Sequence, residues 1–251
     1  MRPILPVSEP EIPLEGGRLT KGVVRVGDTV RRPARESSPF VARLLAHFEV
    51  LGVPWAPRYL GRDAHGRDTL SYLPGSVPTR WRDFSDEQVR GAGALLRAFH
   101  DATRGSILAG EFPVVCHHDL GPNNTVFDGE TPTALIDFDL AAPGQPLEDL
   151  GYSAWAWCIS SKPERQLLAA QARQVRVLVD GYGGLGGAHP EDMVDAILEQ
   201  QRENALFWTE ISRSSSDVLS SAEKIQELIA WSERERAYTS RNRQAFEAAL
   251  A

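Results

Sequence analysis

Hydrophobic and polar positions alternate with a period of two in the first part of the chain, a pattern typical of antiparallel strands. Residues 22–26 and 29–32 alternate in this way on either side of Gly27-Asp28. A two-residue loop that begins with glycine predicts a β-hairpin. Two more strands are predicted at residues 57–60 and 69–73. The first part of the chain is therefore predicted to form a small antiparallel sheet.

Most of the remaining chain has apolar residues spaced three and four apart, which predicts helices. One helix, at residues 38–51, interrupts the strands, and the others follow Pro74-Gly75, which we interpret as a hinge. Ser85 to Gln88 form a capping box, the signature of a helix start. Further helices are predicted at residues 163–182, 190–211 and 221–249, and short apolar strands at 113–116, 126–127 and 134–136.

This order of elements predicts an α+β fold of two lobes. Residues 1–75 are predicted to form a sheet lobe that binds a nucleotide, and residues 76–251 a larger, mostly helical lobe that carries the catalytic and substrate-binding residues. Ligands usually bind in the cleft between such lobes. We therefore expect the functional residues to face that cleft.

The charge distribution narrows the class of partner. The 251 residues are 42% hydrophobic and carry a formal net charge of −7. Residues 1–75 have eleven Lys and Arg against eight Asp and Glu, whereas residues 76–251 have sixteen against twenty-six. This difference in charge has two interpretations. The charged residues either form ordinary solvated faces, or they make one lobe basic enough to bind polyphosphate and the other acidic enough to bind a metal and a cationic substrate. So acidic a chain argues against nucleic acid as a partner.

Neither a targeting segment nor a membrane span is expected. The N-terminal residues mix prolines with glutamates, and no later stretch is apolar for long enough to cross a membrane. Cys116 and Cys158 lie far apart without metal-ligand spacing, which fits a reducing compartment. These features predict a cytoplasmic protein.

The most informative residues are polar side chains at the ends of short predicted strands. Residues 117–124 are H-H-D-L-G-P-N-N, and residues 136–139 are I-D-F-D. Phosphoryl transfer needs a group that positions and deprotonates the attacking hydroxyl, and hard oxygen ligands for Mg²⁺. Asp119 is predicted to be that base, and Asn124 and Asp137 the metal ligands. The pattern therefore predicts an ATP- and Mg²⁺-dependent kinase.

These motifs, in this order and after a Pro-Gly hinge, resemble those of the aminoglycoside phosphotransferase and choline kinase-like family of small-molecule kinases. The resemblance is close over residues 113–152 and loose over the whole chain. It implies a bilobal protein-kinase-like fold, transfer of the γ-phosphoryl group of ATP to a small-molecule hydroxyl, and a structural Asp149 that ties the catalytic loop. The acidic second lobe favours an aminoglycoside-like or amino-alcohol acceptor, with neutral metabolites such as sugars left open.

The sequence departs from the family pattern in three places. His118 stands where the family has glycine, directly before the predicted base. The nucleotide-covering loop corresponds to residues 15–22, in which Gly16, Gly17 and Gly22 are predicted to contact the nucleotide without forming a G-x-G-x-x-G motif. The lysine expected on the third strand and its glutamate partner on the following helix are both absent.

The register of the hairpin predicts which residue replaces the lysine. A two-residue turn pairs Val24 with Arg31, so that their side chains share one face of the sheet. If Val24 lies under the nucleotide loop, as the matching valine does in kinases, Arg31 points at the phosphates and toward Asp137. Arg32 then points away from the cleft.

Several residues have more than one interpretation. His117 is predicted to orient the loop through a backbone hydrogen bond rather than to carry protons. Asp139 is open between a second metal ligand and a loop cap. A zinc site built from His117, His118 and Asp119 is disfavoured because neighbouring residues of a strand face opposite ways. The tryptophans are predicted to pack helices, with Trp208 or Trp231 as alternative members of a substrate pocket.

Two rival functions belong to other classes. A non-catalytic nucleotide-binding protein would explain the missing lysine and glutamate, but a binder has no need of Asp119 beside Asn124 and Asp137. A protein kinase is disfavoured because the chain lacks H-R-D and an activation segment ending in Ala-Pro-Glu.

Overall fold

Five antiparallel strands form the predicted sheet. The computed structural model describes residues 10–14, 22–78, 82–213 and 221–251. The strands are β1 (Ile12–Pro13), β2 (Val24–Val26), β3 (Thr29–Arg32), β4 (Tyr59–Arg62) and β5 (Asp68–Ser71). Their order in the sheet is β1-β2-β3-β5-β4. The sequence analysis did not predict β1.

The hairpin of β2 and β3 has the predicted register. Val26 lies opposite Thr29 and Val24 lies opposite Arg31. The Thr29 hydroxyl donates to the carbonyl oxygen of Val26 at 2.8 Å, which closes the two-residue loop. The prediction of a two-residue turn is therefore confirmed.

The predicted helix between β3 and β4 forms as α1 (Ser38–Leu51) and joins the sheet to the rest of the molecule. Its apolar stripe is buried, and the Phe48 ring lies 4.9 Å from the ring of Trp55, 5.7 Å from Phe99 and 6.0 Å from Phe138, measured between ring centroids. Because Phe99 and Phe138 come from the later part of the chain, one hydrophobic core spans both parts.

The second part of the chain is mostly helical, as predicted. Its helices are α2 (Asp86–Thr103), α3 (Pro146–Cys158), α4 (Leu168–Tyr182), α5 (Pro190–Arg213), α6 (Ala222–Arg241) and α7 (Arg243–Leu250). The capping box at the start of α2 is present, with the Ser85 hydroxyl accepting from the Gln88 N–H at 3.2 Å. None of the described helices is long and apolar enough to cross a membrane.

Three helix predictions need correction. Helix α3 was not predicted, α4 begins five residues later than expected, and the last predicted helix is two helices separated at Asn242. The Asn242 side-chain amide donates to the carbonyl oxygen of Tyr238 at 2.9 Å. Side-chain amides that bond to nearby backbone compete with the helical hydrogen bonds, which explains the break.

Four short strands form two pairs beside the helices. They are β6 (Val114–Cys116), which pairs with β9 (Ala142–Gly144), and β7 (Thr125–Asp128), which pairs with β8 (Thr131–Leu135). The predicted polar motifs begin where β6 and β8 end. These two strand pairs therefore position the candidate site.

The chain passes between its two parts at the predicted hinge. Ser76 exchanges two backbone hydrogen bonds with Phe127 of β7, at 2.9 and 2.8 Å. A Cβ atom on Gly75 would lie 2.4 Å from the Phe127 carbonyl oxygen, and its φ is +139°. Glycine is required at this position because a side chain would collide with β7. The division at residue 75 into two lobes stays a prediction.

Candidate active site

Asp149 holds the segment that carries the predicted base. It lies in the first turn of α3 and is fully buried. Its two carboxylate oxygens accept hydrogen bonds from the backbone N–H groups of His117 at 2.6 Å and His118 at 2.7 Å. The prediction that Asp149 ties the catalytic loop is confirmed.

The ionisation of Asp149 results from opposing effects. Burial by itself raises its pKa, but the hydrogen bond with His100 Nε2, 3.0 Å long, and the nearby imidazoles of His118 and His117 outweigh burial. The result is a pKa of about 2. The other His100 nitrogen, Nδ1, lies 2.8 Å from the Tyr182 hydroxyl oxygen. Asp149 is therefore a carboxylate at neutral pH, the form that accepts two backbone N–H groups.

His117 ties the same loop to the next strand pair. Its Nε2 lies 3.0 Å from the carbonyl oxygen of Ile136, the residue before Asp137. The ring packs against the rings of Phe99 and Phe138. These contacts confirm the prediction that His117 orients the loop.

The carboxylate of Asp119 is held at both oxygens. Oδ1 accepts a hydrogen bond from the Tyr152 hydroxyl, and Oδ2 accepts one from Asn124 Nδ2 at 2.8 Å. Asn124 Nδ2 also donates to the backbone carbonyl of Asp119 at 2.7 Å. Because its nitrogen is engaged with Asp119, the side-chain carbonyl oxygen of Asn124 is the atom that remains to ligate a cation.

Tyr152 was missed by the sequence analysis. It lies three residues after Asp149 on α3, so both side chains face the catalytic loop. The spacing is visible in the sequence, but its meaning depends on residues 146–158 forming a helix. Without that helix, nothing in the sequence places a tyrosine hydroxyl on the predicted base.

Strands β7 and β8 bring Asn124 to the same end of the site as Asp137. Asn124 ends a short 3-10 turn, and its carbonyl oxygen accepts from the Ile136 N–H at 3.0 Å. This bond extends the hydrogen-bond ladder of β7 and β8 by one residue pair. Asp137 is the residue that follows Ile136. Asp137 has a φ of +64°, a left-handed conformation that costs a non-glycine residue about 1–2 kcal/mol. Strain of this kind often marks a functional residue.

The surroundings of Asp137 oppose its ionisation. Its pKa is raised, first by partial burial, which leaves the side chain 49% exposed, and then because Asp139 places a second negative charge nearby. Arg32 opposes the shift, with its guanidinium 3.6 Å from the Asp137 carboxylate. A bound cation would relieve the same repulsion, because it favours the charged carboxylate.

The predicted roles of the two arginines are reversed. Arg32, not Arg31, contacts Asp137, and it also forms an ion pair with Asp139. Arg31 lies 3.9 Å from Asp63, at the end of β4. The register was correct, but the choice of face was wrong, because the face that carries Arg32 is the one directed at Asp137 and Asp139. Arg35 also reaches Asp139, at 3.6 Å, so in this structure Asp139 is an ion-pair partner of arginines.

The other sequence predictions have mixed outcomes. Gly16 and Gly17 lie outside the described residues. Gly22 is described, has a φ of +76° and stays a predicted nucleotide contact. Among the described residues, no metal-ligand cluster joins His117, His118 and Asp119, so the zinc alternative at these three is not supported.

A narrow niche of about 20 Å³ lies beside Tyr152, the residue that bonds Asp119. It is lined by Tyr152, Trp155, Ala156, Ile159, Ser160, Arg165 and Trp231. Trp155 stacks on Trp231 with 4.6 Å between ring centroids, and the buried Trp155 Nε1 has no hydrogen-bond partner. Arg165 is the one charged residue of this lining, and it forms an ion pair with Asp83 at 3.3 Å. Trp208 instead packs in a small cluster with Ile225 and Leu228.

Comparison with known proteins agrees with this arrangement. The model of the phosphotransferase enzyme family matches residues 105–187, which include all three predicted catalytic and metal residues. A trifolitoxin immunity protein from Rhizobium leguminosarum bv. trifolii is 32% identical over 273 aligned positions. The alignment covers 96% of this chain and 99% of that protein.

Two solved structures illustrate the similarity of fold. Choline kinase from Cryptosporidium parvum Iowa II is 9% identical, with a TM-score of 0.63 and coverage of 96% of this chain and 91% of that one. The streptomycin–ATP–APH(2")-IIa ternary complex is 12% identical, with a TM-score of 0.58 and coverage of 90% and 93%. The predicted protein-kinase-like fold is therefore confirmed.

Proposed function

This chain belongs to the phosphotransferase enzyme family and is a kinase with a hydroxyl acceptor, and from that premise we propose that ATP is its phosphoryl donor and Mg²⁺ its metal. The acceptor is a small molecule. ATP and Mg²⁺ are reactants of the cytoplasm, so the proposal includes a cytoplasmic location.

The observation that carries the proposal is the bond between the base and a metal ligand. Asn124 Nδ2 donates to the Asp119 carboxylate at 2.8 Å, and the Asn124 backbone bonds to the residue before Asp137. The three residues are thereby held in one constellation. A protein that only bound nucleotides would not need a carboxylate in the position of a base.

The donor atoms fit Mg²⁺. The Asn124 side-chain oxygen and the Asp137 carboxylate are hard oxygen ligands, the type that Mg²⁺ prefers. When bound, Mg²⁺ and ATP supply the transferable γ-phosphoryl group and neutralise part of its charge.

The side chains of this chain have separate tasks in the proposed reaction. Asp119 accepts the proton of the acceptor hydroxyl and aligns it for attack, while the Tyr152 hydroxyl fixes the carboxylate. Arg32 replaces Arg31 as the proposed phosphate ligand, because it faces Asp137 and because a guanidinium offers two parallel N–H donors to phosphate oxygens. Catalysis rests mainly on positioning and charge neutralisation.

An acceptor screen tests the proposal. Purified protein is mixed with ATP and Mg²⁺, and ATP consumption is measured against a panel of aminoglycosides, amino alcohols, sugars and aromatic alcohols. We expect turnover that depends on one class of acceptor and on Mg²⁺. Failure of the protein to bind ATP with Mg²⁺ would contradict the proposal.

The niche beside Tyr152 does not select the acceptor, because its volume of about 20 Å³ has room for about one water molecule. Its one cation, Arg165, forms an ion pair with Asp83 at 3.3 Å, so the lining does not disfavour a positively charged acceptor. The proposed acceptor is therefore the aminoglycoside-like or amino-alcohol molecule that the acidic composition of residues 76–251 favours.

A second candidate function follows from the relative named as a trifolitoxin immunity protein. We propose that this chain protects a cell by phosphorylating a hydroxyl of a toxic molecule. The alternative is protection by binding the toxic molecule without catalysis. Expression of the wild type and of Asp119→Asn in a trifolitoxin-sensitive strain separates the two, because only a catalytic mechanism needs the carboxylate.

A further inference from the structure

A second group of side chains that can ligate a metal joins the catalytic loop to β6 and α3. Cys116 ends β6, His118 lies in the catalytic loop and Glu148 lies in the first turn of α3. One ligand atom from each lies within 4.8 Å of the other two. His118 Nδ1 is 3.7 Å from Glu148 Oε2. No step of the proposed reaction uses these three side chains.

The spacing suits a small tetrahedral ion. Zinc binds sulfur, nitrogen and oxygen at about 2.0–2.3 Å, so that its ligand atoms lie about 3.3–3.8 Å apart. The His118–Glu148 pair already has that separation, and the two pairs that include Cys116, which lie within 4.8 Å, need to close by at most about 1–1.5 Å. A thiol, an imidazole and a carboxylate form a donor set that favours zinc over Mg²⁺ or Ca²⁺.

The backbone of His118 is an independent observation. Its φ of +61° lies in the left-handed region, where a side chain costs about 1–2 kcal/mol and glycine costs little. The hydrogen bonds with Asp149 would hold a glycine there equally well, because they use only backbone N–H groups. This conformation places the His118 ring beside Glu148, and strain of this kind often marks a functional residue.

Gly144 supplies the third observation. Its φ lies outside the left-handed region, so its backbone does not require glycine. A Cβ atom there would lie 2.9 Å from both Cys116 Sγ and Glu148 Oε2. Glycine thus leaves space at a point between the sulfur and the oxygen.

We propose that Cys116, His118 and Glu148 bind one Zn²⁺ ion, with Gly144 providing the space beside it. Binding releases the thiol proton to solvent, since zinc binds the thiolate. The side chains of His118 and Glu148 are 24% and 36% exposed, which gives the ion a route of entry. Bound zinc would tie together β6, the catalytic loop and α3, the three elements that surround Asp119.

Zinc binding by the full chain tests the proposal. Affinity and stoichiometry are measured by competition with a chromophoric zinc chelator, using Zn²⁺ alone. We expect one equivalent per chain for the wild type and for Cys158→Ser, the variant of the other buried cysteine. Thermal unfolding should shift up by about 5 °C or more when free zinc is a hundredfold above its Kd.

Three variants are expected to remove the zinc site while the protein still folds. Glu148→Gln keeps the capping box of α3, in which the Glu148 side chain accepts from the Gln145 N–H at 2.9 Å. His118→Gly relieves the backbone strain, so that without zinc its Tm should equal or exceed that of the wild type. Gly144→Ala fills the space beside the ligands. Each should weaken zinc binding at least about tenfold, because a ligand or its position is lost.

The following results would overturn the proposal. If the wild type binds no zinc at a free concentration of about 0.1 mM, the proposal is wrong. It is also wrong if the three variants bind zinc as tightly as the wild type does. Loss of zinc in Asp137→Ala but not in Glu148→Gln would place the ion at the proposed Mg²⁺ site and would also overturn it.

Discussion

The catalytic loop and strand β3 both approach Asp137, but they are held in different ways. In the loop, the backbone N–H groups of His117 and His118 donate to Asp149, and the His117 ring bonds the carbonyl oxygen of Ile136. The partners of His117 in these bonds are 32 and 19 positions away in the chain. Strand β3 lies in the middle of the sheet and carries Arg32, which forms an ion pair with Asp139, 107 positions away.

This difference explains why a family motif predicts one region well and the other poorly. Motif spacing in the loop indicates which groups meet, because the loop and its partners all lie within residues 113–152, where the resemblance to the family is close. Arg32 lies outside that segment, and its ion pair with Asp139 joins two segments that share no motif. An ion pair between such distant segments leaves no local sign in either of them.

The largest expected effect is at the base. Asp119→Asn should lower kcat by about 10²–10⁴-fold, the usual contribution of a positioned general base, while ATP binding is retained. Steady-state kinetics with the acceptor found by the screen measures the loss. Asp128→Asn, at an exposed position of β7, is the matched control and should be neutral. Near-full activity of Asp119→Asn would make Asp119 a structural residue.

The second-largest effect is expected at Asp149, the buried carboxylate that holds the catalytic loop. Asp149→Asn should lower the free energy of unfolding by about 2–4 kcal/mol, because an amide cannot accept from both backbone N–H groups and leaves buried donors unpaired. Urea denaturation measures this loss. Asp180→Asn removes an exposed helix carboxylate paired with Arg176 and should cost less than about 1 kcal/mol. Equal losses would show that Asp149 does not support the loop.

Low pH should remove the stabilising contribution of the Asp149 carboxylate in the wild type. The pKa of Asp149 is about 2 in the folded protein, below the ordinary value of 3.8, so its contribution to stability is present above about pH 4. That contribution, about 2 kcal/mol, is lost as pH falls toward 2. Urea denaturation between pH 5 and pH 2 should therefore show a steeper loss for the wild type than for Asp149→Asn. Parallel curves would contradict the assignment.

The smallest expected effect separates the two arginines of β3. Arg32→Ala should weaken ATP binding about tenfold or more, since it removes a charge-assisted contact with phosphate, whereas Arg31→Ala should change it less than about threefold. Titration of each variant with ATP and Mg²⁺ measures both. Arg32→Lys retains the charge and should recover part of the affinity. A larger effect of Arg31→Ala would restore the original prediction from hairpin register.

Much of this architecture follows from the sequence. Alternation around Gly27-Asp28 predicted the hairpin and its register, because a two-residue loop permits one pairing only. The helical stripe at residues 38–51 and the capping box at Ser85 predicted α1 and α2, since both signals are local. The spacing of Asp119, Asn124 and Asp137 predicted the constellation of the site.

What the tertiary structure decided concerns contacts between distant segments. Sequence fixes that Arg31 and Arg32 face opposite sides of β3, but the packing of the sheet against the helical part decides which side meets Asp137. Likewise, Tyr152 reaches Asp119 only because residues 146–158 form a helix beside the loop. Cys116, His118 and Glu148 meet because β9 pairs with β6 and carries the start of α3 to that place. The local sequence determines which contacts a segment is able to make. Chain topology determines which of those contacts form, because the energy of pairing between remote segments depends on the whole fold.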